Sequence, residues 1–533
     1  MKIIKATYLS LALAIALTGC STTKVTVYNV DKLPVKKAKL TTQQLERWSH
    51  LDILTDTIPG MSVDKAYAEL LKDKKSSKVI VGIIDSGVDI EHPDLAPAVW
   101  TNTKEIAGNG IDDDKNGYID DIHGWNFLGD ITKEFYEYER IVKDKSITDE
   151  ATYLKAKAMV DGKKTNINKA RTQIEAVMMA TNNADEVLRK ELKKEVYTST
   201  DLESIKSTDA TVVQSIQIMK QMLSYGLPVA DLKVEIKKEL DEIIAALNDD
   251  NLKQDYRKVV GDNPNDITDT NYGNNNVIGP DKKEALHGTH VAGIVAQTRY
   301  NNIGGDGVAS NNVQIMTLRA VPDGDEYDKD IALAIRYAAD NGAKVINGSF
   351  GKAFSPQKEW VYDAIKYAAK KDVLIVHAAG NDAKNIDVED NFPNDSDDKI
   401  TEFADNLITI GALNFEYGDT MVAEFSNFGA LNVDVFAPGV EIYATTPEDT
   451  YQFLAGTSMA APNTAGVAAL IRSYYPELSA KQVKQILMDS GTAINRTIKV
   501  GDGKDRKFSE LSKSGKIVNA YSALQMAAKM AGK

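Results

Sequence analysis

The chain has 533 residues, 43% hydrophobic and 26% charged, the make-up of a large globular protein that buries its core without staples. Its 77 Asp and Glu against 63 Lys and Arg leave a net charge of −14, which excludes nucleic acid as the main partner because phosphate binding needs a basic surface. The single cysteine, Cys20, excludes an internal disulfide and any cysteine-built zinc or iron–sulfur site.

In chain order, Lys2 and Lys5 precede an apolar stretch over residues 8–17. That is too short for a bilayer span, which needs about 20 residues, but it suits a leader. It closes on Leu17-Thr18-Gly19-Cys20, which resembles the bacterial lipoprotein box, where cleavage precedes the cysteine and its sulfur is acylated. The expectation is a lipoprotein signal over 1–20, lipidation at Cys20, and a membrane-anchored protein of the cell envelope that faces away from the cytoplasm. An ordinary secretory leader with an incidental cysteine is the alternative. Residues 21–45 are polar and read as a tether.

Val79-Ile80-Val81-Gly82-Ile83-Ile84 is a continuous apolar, β-branched run, the mark of a strand buried on both faces of a parallel sheet. It ends at Asp85-Ser86-Gly87, an acid at the carboxyl end of a strand, where open α/β sheets place their sites. After residue 287, amphipathic helices over 330–341 and 359–371 alternate with strands at 344–347, 372–376 and 407–411. Such alternation predicts βαβ units and a parallel sheet.

Between residues 131 and 260 only Gly162 and Gly226 occur, out of 35 glycines. Apolar residues recur there at helical spacing: Ile167, Ala170, Ile174, Val177 and Met178; Val212, Ile216, Met219 and Leu223; Ile236, Leu240, Ile243, Ile244 and Leu247. Three to five amphipathic helices are expected, inserted over 131–270 between segments 46–130 and 271–533 of the α/β body.

Two further segments carry chemistry. His287-Gly288-Thr289-His290-Val291-Ala292-Gly293 places histidine where a small-residue helix begins, and Gly456-Thr457-Ser458-Met459-Ala460-Ala461-Pro462 places serine where a turn enters a helix. An acid, a histidine and a serine so placed are what acyl transfer needs. The order Asp85, His290, Ser458 with these motifs resembles the subtilase (subtilisin-like serine peptidase) family. The resemblance implies an α/β fold, a subtilisin-like parallel sheet with helices on both faces, here interrupted by the helical insertion. It implies a serine endopeptidase with Asp85, His290 and Ser458 as its triad and Asn381 as the oxyanion donor. It implies substrate-binding backbone at Ser349, Phe350, Gly351, Ala379 and Gly380, peptides or proteins as substrates, and no cofactor for catalysis. Gly348 departs from the family, which has a larger apolar residue there, and is expected to leave a cavity or loosen the strand behind the pocket. His50, His92, His123 and His377 lack the small-residue helix entry, and His92 in His92-Pro93-Asp94-Leu95 reads as a structural turn. Only about 25 residues separate Cys20 from the first subtilase-like residues. That is too few for the family's folded propeptide, a role the insert is one candidate to fill.

Asp112, Asp114 and Asn116, Gly117 and the carbonyl of Tyr118 fit the first half of a calcium loop. His123 stands where the bidentate Glu is required, so Asp120, Asp121 or Glu105 would complete the shell of a structural Ca2+. An acidic turn without an ion is the alternative. For the whole chain, the competing reading is a lipid-anchored binding protein on an inactive scaffold, against which the four motif residues speak.

Overall fold

The computed structural model of the chain describes residues 30, 33, 39–248 and 254–533. The expected leader, Cys20 and most of the tether lie outside the described residues. Three short helices come first: α1 (Thr42–Arg47), α2 (Ile53–Asp56) and α3 (Val63–Ala66). Thr41 and Gln44 cap each other's backbone N–H groups, so helical structure begins inside the expected tether.

Strands β1 (Val79–Asp85) and β2 (Gly124–Asn126) lead into the insert, α4 (Glu137–Lys143), α5 (Glu150–Leu192), α6 (Ser199–Glu203), α7 (Ala210–Leu223) and α8 (Val229–Asn248). The body resumes with α9 (Leu286–Ala296), β3 (Val313–Arg319), α10 (Asp328–Asp340), β4 (Val345–Gly348), α11 (Lys358–Lys370), β5 (Leu374–Ala378), β6 (Leu407–Leu413) and β7 (Val435–Pro438). It ends with hairpin β8 (Ile442–Thr446)–β9 (Thr450–Leu454), α12 (Thr457–Tyr474), α13 (Ala480–Asp489), β10 (Thr492–Ala493), hairpin β11 (Thr497–Lys499)–β12 (Asp505–Lys507), β13 (Lys516–Ile517) and α14 (Ala520–Met530).

The main sheet runs β10-β13-β7-β6-β5-β4-β1-β3-β2, parallel throughout except at β10–β13. Successive strand residues point to opposite faces, which splits the core in two. Val81 and Ile83 join the core that holds α9, α12, α13 and α14, while Ile84 joins the one beneath α10 and α11. The register pairs Ile84 with Gly348 and Gly348 with His377. The residues that follow, Asp85, Ser349 and Ala378, therefore leave the sheet side by side at its carboxyl edge.

Among the described residues the insert has five α-helices, with a small core of its own made of Ala184, Leu188, Tyr197, Leu202, Met219 and Val229. The expected stripes are buried at Val212, Met219, Ile236 and Leu240 but only half-buried at Ile167, Ala170, Ile174 and Met178, and Val177 is exposed. The physical reason is length: α5 has 43 residues, about 65 Å of helix, and its main helical neighbours, α4, α7 and α8, have 7, 14 and 20 residues. The two stems of the insert are held to the body by buried charge. Glu137 pairs with Arg140 and, at 2.7 Å, with Lys352, and Arg257 lies 2.6 Å from Asp262 and 2.7 Å from Asp330.

Candidate active site

Four candidate side chains stand along the carboxyl edge of the sheet. Asp85 ends β1, Asn381 follows β5, and the first turns of α9 and α12 bring a histidine and Ser458. The histidine is His287, not the expected His290. His287 Nδ1–H donates to Asp85 Oδ1 at 2.7 Å, and the same oxygen accepts from Ser86 N–H at 2.8 Å. Burial pulls the His287 pKa down, but the charge and hydrogen bond of Asp85 outweigh it, and the net shift is upward from 6.5.

His290 lies about 4.5 Å further along the helix axis, inside the body, at 0% exposure. Its Nε2–H is shared between the carbonyls of Ile442 and Gln452, at 3.0 and 3.1 Å, so it clamps the β8–β9 hairpin. Burial is the chief cause that lowers its pKa to about 4 and keeps it neutral. A signal for His287 was present in the sequence: Gly288 beside it. A Cβ there would stand 2.1 Å from Gly87 O and 3.0 Å from Asp85 Cβ. Only glycine lets this turn close onto the acid.

Ser458 is tied to the residue that follows β4, Ser349. Pro462 lacks the N–H that would bond the carbonyl four residues back, that of Ser458. Ser349 Oγ fills the role, donating to Ser458 O at 2.8 Å, and Ser458 Oγ donates to Ser349 O at 3.1 Å. Asn381 Oδ1 accepts from Thr457 N–H at 2.9 Å and from Thr457 Oγ1 at 2.8 Å. A backbone N–H can only donate, so the Asn381 amide nitrogen must face the other way. A Cβ built on Gly456 would sit 3.5 Å from Asn381 Nδ2 and 3.6 Å from Ser458 N. Both donors therefore border one small space at the start of α12, where the helix dipole also favours negative charge.

A cavity of about 360 Å³ opens beside Ser458 and Asn381, lined by Phe350, Gly351 and Gly380 among others. Ala379 does not line it: fully buried, it gives its carbonyl to Asn427 Nδ2 at 2.8 Å, and Ala378 lines the cavity instead. The cavity expected as one outcome at Gly348 is absent. A Cβ there would meet Phe350 Cε1 at 3.2 Å, so the Phe350 ring already fills that space. The remaining histidines serve structure. His377 Nε2–H donates to Phe350 O at 2.8 Å, His50 Nδ1 accepts from Arg299 at 2.9 Å, His92 Nδ1 accepts from Asp94 N–H at 3.2 Å, and His123 Nδ1 bonds Trp100 O at 2.8 Å.

The acidic loop is only partly as expected. Glu105, Asp112 and Asp114 bring one oxygen each within 4.8 Å of one another, which makes a three-carboxylate group. Asp120 and Asp121 lie outside it. Asp120 accepts from the N–H groups of Asn109 and Gly110, and Asp121 accepts from Asn102, Asn116 and Tyr337. Asn116 Oδ1 is taken by Tyr118 N–H at 2.8 Å, and the Tyr118 ring packs on Trp125 and Tyr337. Local hydrogen bonds of the turn outcompete convergence of all six residues.

The sequence reading missed Glu137 and Lys352, and the insert side chains Tyr136, Tyr138 and Met159 that also line the cavity. Nothing in their spacing links residues some 200 apart.

These motifs recur in known proteins. The chain is 37% identical over 220 residues to subtilisin DY of Bacillus licheniformis, covering 41% of this chain and 74% of that protein. It is 40% identical over 188 residues to a thermophilic serine proteinase of Bacillus sp. (strain AK1), covering 35% of this chain and 42% of that protein. It is 30% identical over 278 residues to the cell wall-associated protease of Bacillus subtilis, covering 51% of this chain and 28% of that protein. The chain thus spans less than half the length of two of these relatives. The pattern described as "Subtilase family" matches residues 76–509, from the start of β1 to beyond the serine helix. With that match over most of its length, the chain belongs to the subtilase family.

Proposed function

We propose that the chain is a serine endopeptidase that works through Asp85, His287 and Ser458. The observation that carries this reading is the 2.7 Å bond between His287 and Asp85, at the sheet edge that also presents Ser458 and Asn381 to one cavity. Ser458 Oγ turns from Ser349 O to give its proton to His287 and attacks the scissile carbonyl. Asp85 holds the imidazole in the tautomer with Nδ1 protonated and stabilises the imidazolium. The developing oxyanion accepts from Asn381 Nδ2 and Ser458 N–H, donors that need no reorganisation. His287 then protonates the leaving amine, and water hydrolyses the acyl-enzyme by the same steps in reverse. An extended peptide along the 349–351 edge is the substrate form this edge suits. A fluorophosphonate probe tests the reading: it should label the wild type and not Ser458→Ala. A folded wild type that resists the probe returns the inactive-scaffold reading.

Two further parts of the proposal concern stability and place. Glu105, Asp112 and Asp114 suit a hard cation such as Ca2+. Binding would raise the melting temperature in proportion to the logarithm of its concentration, and an EDTA-insensitive Tm counts against it. Cys20 is proposed as the lipidated residue of a cell-envelope protein facing away from the cytoplasm. Cys20→Ser should move the protein from membrane to soluble fractions.

A further inference from the structure

We propose that the helical insert supplies specificity-determining residues of the substrate cavity, with Tyr136 and Met159 holding a large apolar side chain of the peptide beside the scissile bond. This rests on the peptidase reading above.

The cavity beside Ser458 has two apolar walls. Phe350 and Phe354 come from the body, and Tyr136, Tyr138 and Met159 come from the insert. Tyr136 and Tyr138 stack with ring centres 5.5 Å apart, and Tyr138 packs on the small core that Ile141 and Ala156 share with Phe354. The insert rings and the body edge are thus one continuous surface.

That surface is rigid. Arg140 donates to the carbonyls of Phe135, Asp325 and Glu326, at 2.8, 2.7 and 2.9 Å. Lys352, the residue after Gly351, donates to Glu137 at 2.7 Å and lies 3.0 Å from Asp328. Its charge is committed inside the protein, and that of Asp390 faces Lys399 at 2.9 Å. Asp325, Asp382 and Lys384 also line the cavity, so it offers a ligand polar and charged groups as well as the rings and the thioether. Tyr136 and Met159 are 43% and 44% exposed at its mouth, large apolar surfaces that a substrate side chain would cover. The volume, about 360 Å³, lies within the usual range of ligand sites.

The test is cleavage profiling with a peptide library and the full-length enzyme, read as the ratio of kcat/KM for Phe, Leu or Met over Ala at each position flanking the cut. The wild type should show a ratio of tenfold or more at one position, the range that pocket contacts give. Tyr136→Ala and Met159→Ala should each lower that ratio severalfold. Met159→Lys should raise cleavage of Glu-containing peptides at the same position. Met179→Ala, 65% exposed on the same helix and outside the cavity, should leave the ratio unchanged. An active enzyme whose profile is the same in all four variants overturns this inference alone. An enzyme that cleaves no peptide and takes no fluorophosphonate overturns the peptidase reading with it.

Discussion

Helix α12 of the body buries 16 of its 18 residues, whereas α5 of the insert buries 6 of its 43. The body is held by apolar surface on both faces of a sheet, and its small residues, such as those of α12, let helices lie close to the strands. The insert has a thin core, and its stems are held to the body by Glu137, Arg140, Lys352, Arg257 and Asp330, all but withdrawn from water. All four groups proposed for the chemistry sit in the body. The insert sits beside them as a wall. A region can therefore shape a site without owning any of its chemistry, and it is seated there by buried charge pairs beside a small shared apolar cluster.

The largest effect should separate two histidines within the body itself. His287→Ala should lower kcat by about 10⁶, the loss that follows removal of the histidine in subtilisin. His290→Ala should leave turnover per folded molecule near wild type and cost about 1–3 kcal/mol of stability, because two buried carbonyls lose their donor. Active-site titration with the fluorophosphonate probe, paired with urea unfolding, measures both. The reverse pattern would return His290 to the triad.

The next effect concerns the seam. Glu137→Ala leaves Arg140 and Lys352 buried without their shared carboxylate, and should cost about 3–5 kcal/mol in urea unfolding. Arg171→Ala, which breaks an exposed pair on α5, should cost less than about 1 kcal/mol. Similar losses from both would mean that the seam is held by packing.

Legibility in the sequence followed the same division. Strand β1 was readable because a strand buried on both faces is an unbroken apolar run, and Ser458 because its Gly-flanked turn enters a small-residue helix. His287 and His290 share one motif, and choosing between them needed the direction of α9, which descends from the edge into the core. The insert's helices were readable from their period, but the great length of α5 was not, since its periodicity persists where nothing covers it. The Glu137–Lys352 pair spans 215 residues, and no local pattern encodes a partner at that distance. In the acidic loop, spacing suggested six ligands, while Asx-type hydrogen bonds settled which carboxylates turn inward.

Acid should act on the buried histidines of the body before the seam. His290 and His377 are buried neutral with pKa values near 4, against 6.5 when unfolded. Between those values the unfolded chain binds protons that the folded one does not. Each of these two histidines therefore withdraws about 1.4 kcal/mol per unit of falling pH, against the opposite pull of Glu326 and Asp395, whose carboxyls burial raises to about 7. Burial alone would raise the Glu137 pKa, but Arg140 and Lys352 bring it down to about 2. Its contribution is full above 4.5 and is lost progressively as pH falls from there through 2. From pH 6.5 to 4.5, the stabilities of wild type and Glu137→Ala should change in parallel, and His290→Gln should gain on wild type as the pH falls. A gap between the first two that closes already at pH 6 would show that Glu137 titrates early.

The smallest effect concerns access. Excising everything between residues 131 and 260 would remove Glu137 and Arg140 from Lys352 and Arg257 from Asp330, and so would damage the substrate edge along with the wall. A cleaner cut replaces residues 150–247 with a Gly/Ser linker and keeps α4. The stems lie side by side there, since Lys143 Nζ donates to Gln254 O at 2.5 Å. This variant keeps Tyr136, Tyr138 and the buried pairs but loses Met159 and the helix that rises beside the cavity, where Lys155 lies 3.8 Å from Asp390. A small chromogenic peptide reaches Ser458 whether or not α5 stands beside it. A folded protein must bring a whole surface to the edge, and α5 is in its way. The ratio of folded-protein to small-peptide hydrolysis should therefore rise, by up to about tenfold, the equivalent of 1.4 kcal/mol of steric cost. If the soluble variant keeps the wild-type ratio, α5 does not gate access, and its long exposed face is better read as a surface for a partner than as a barrier to substrate.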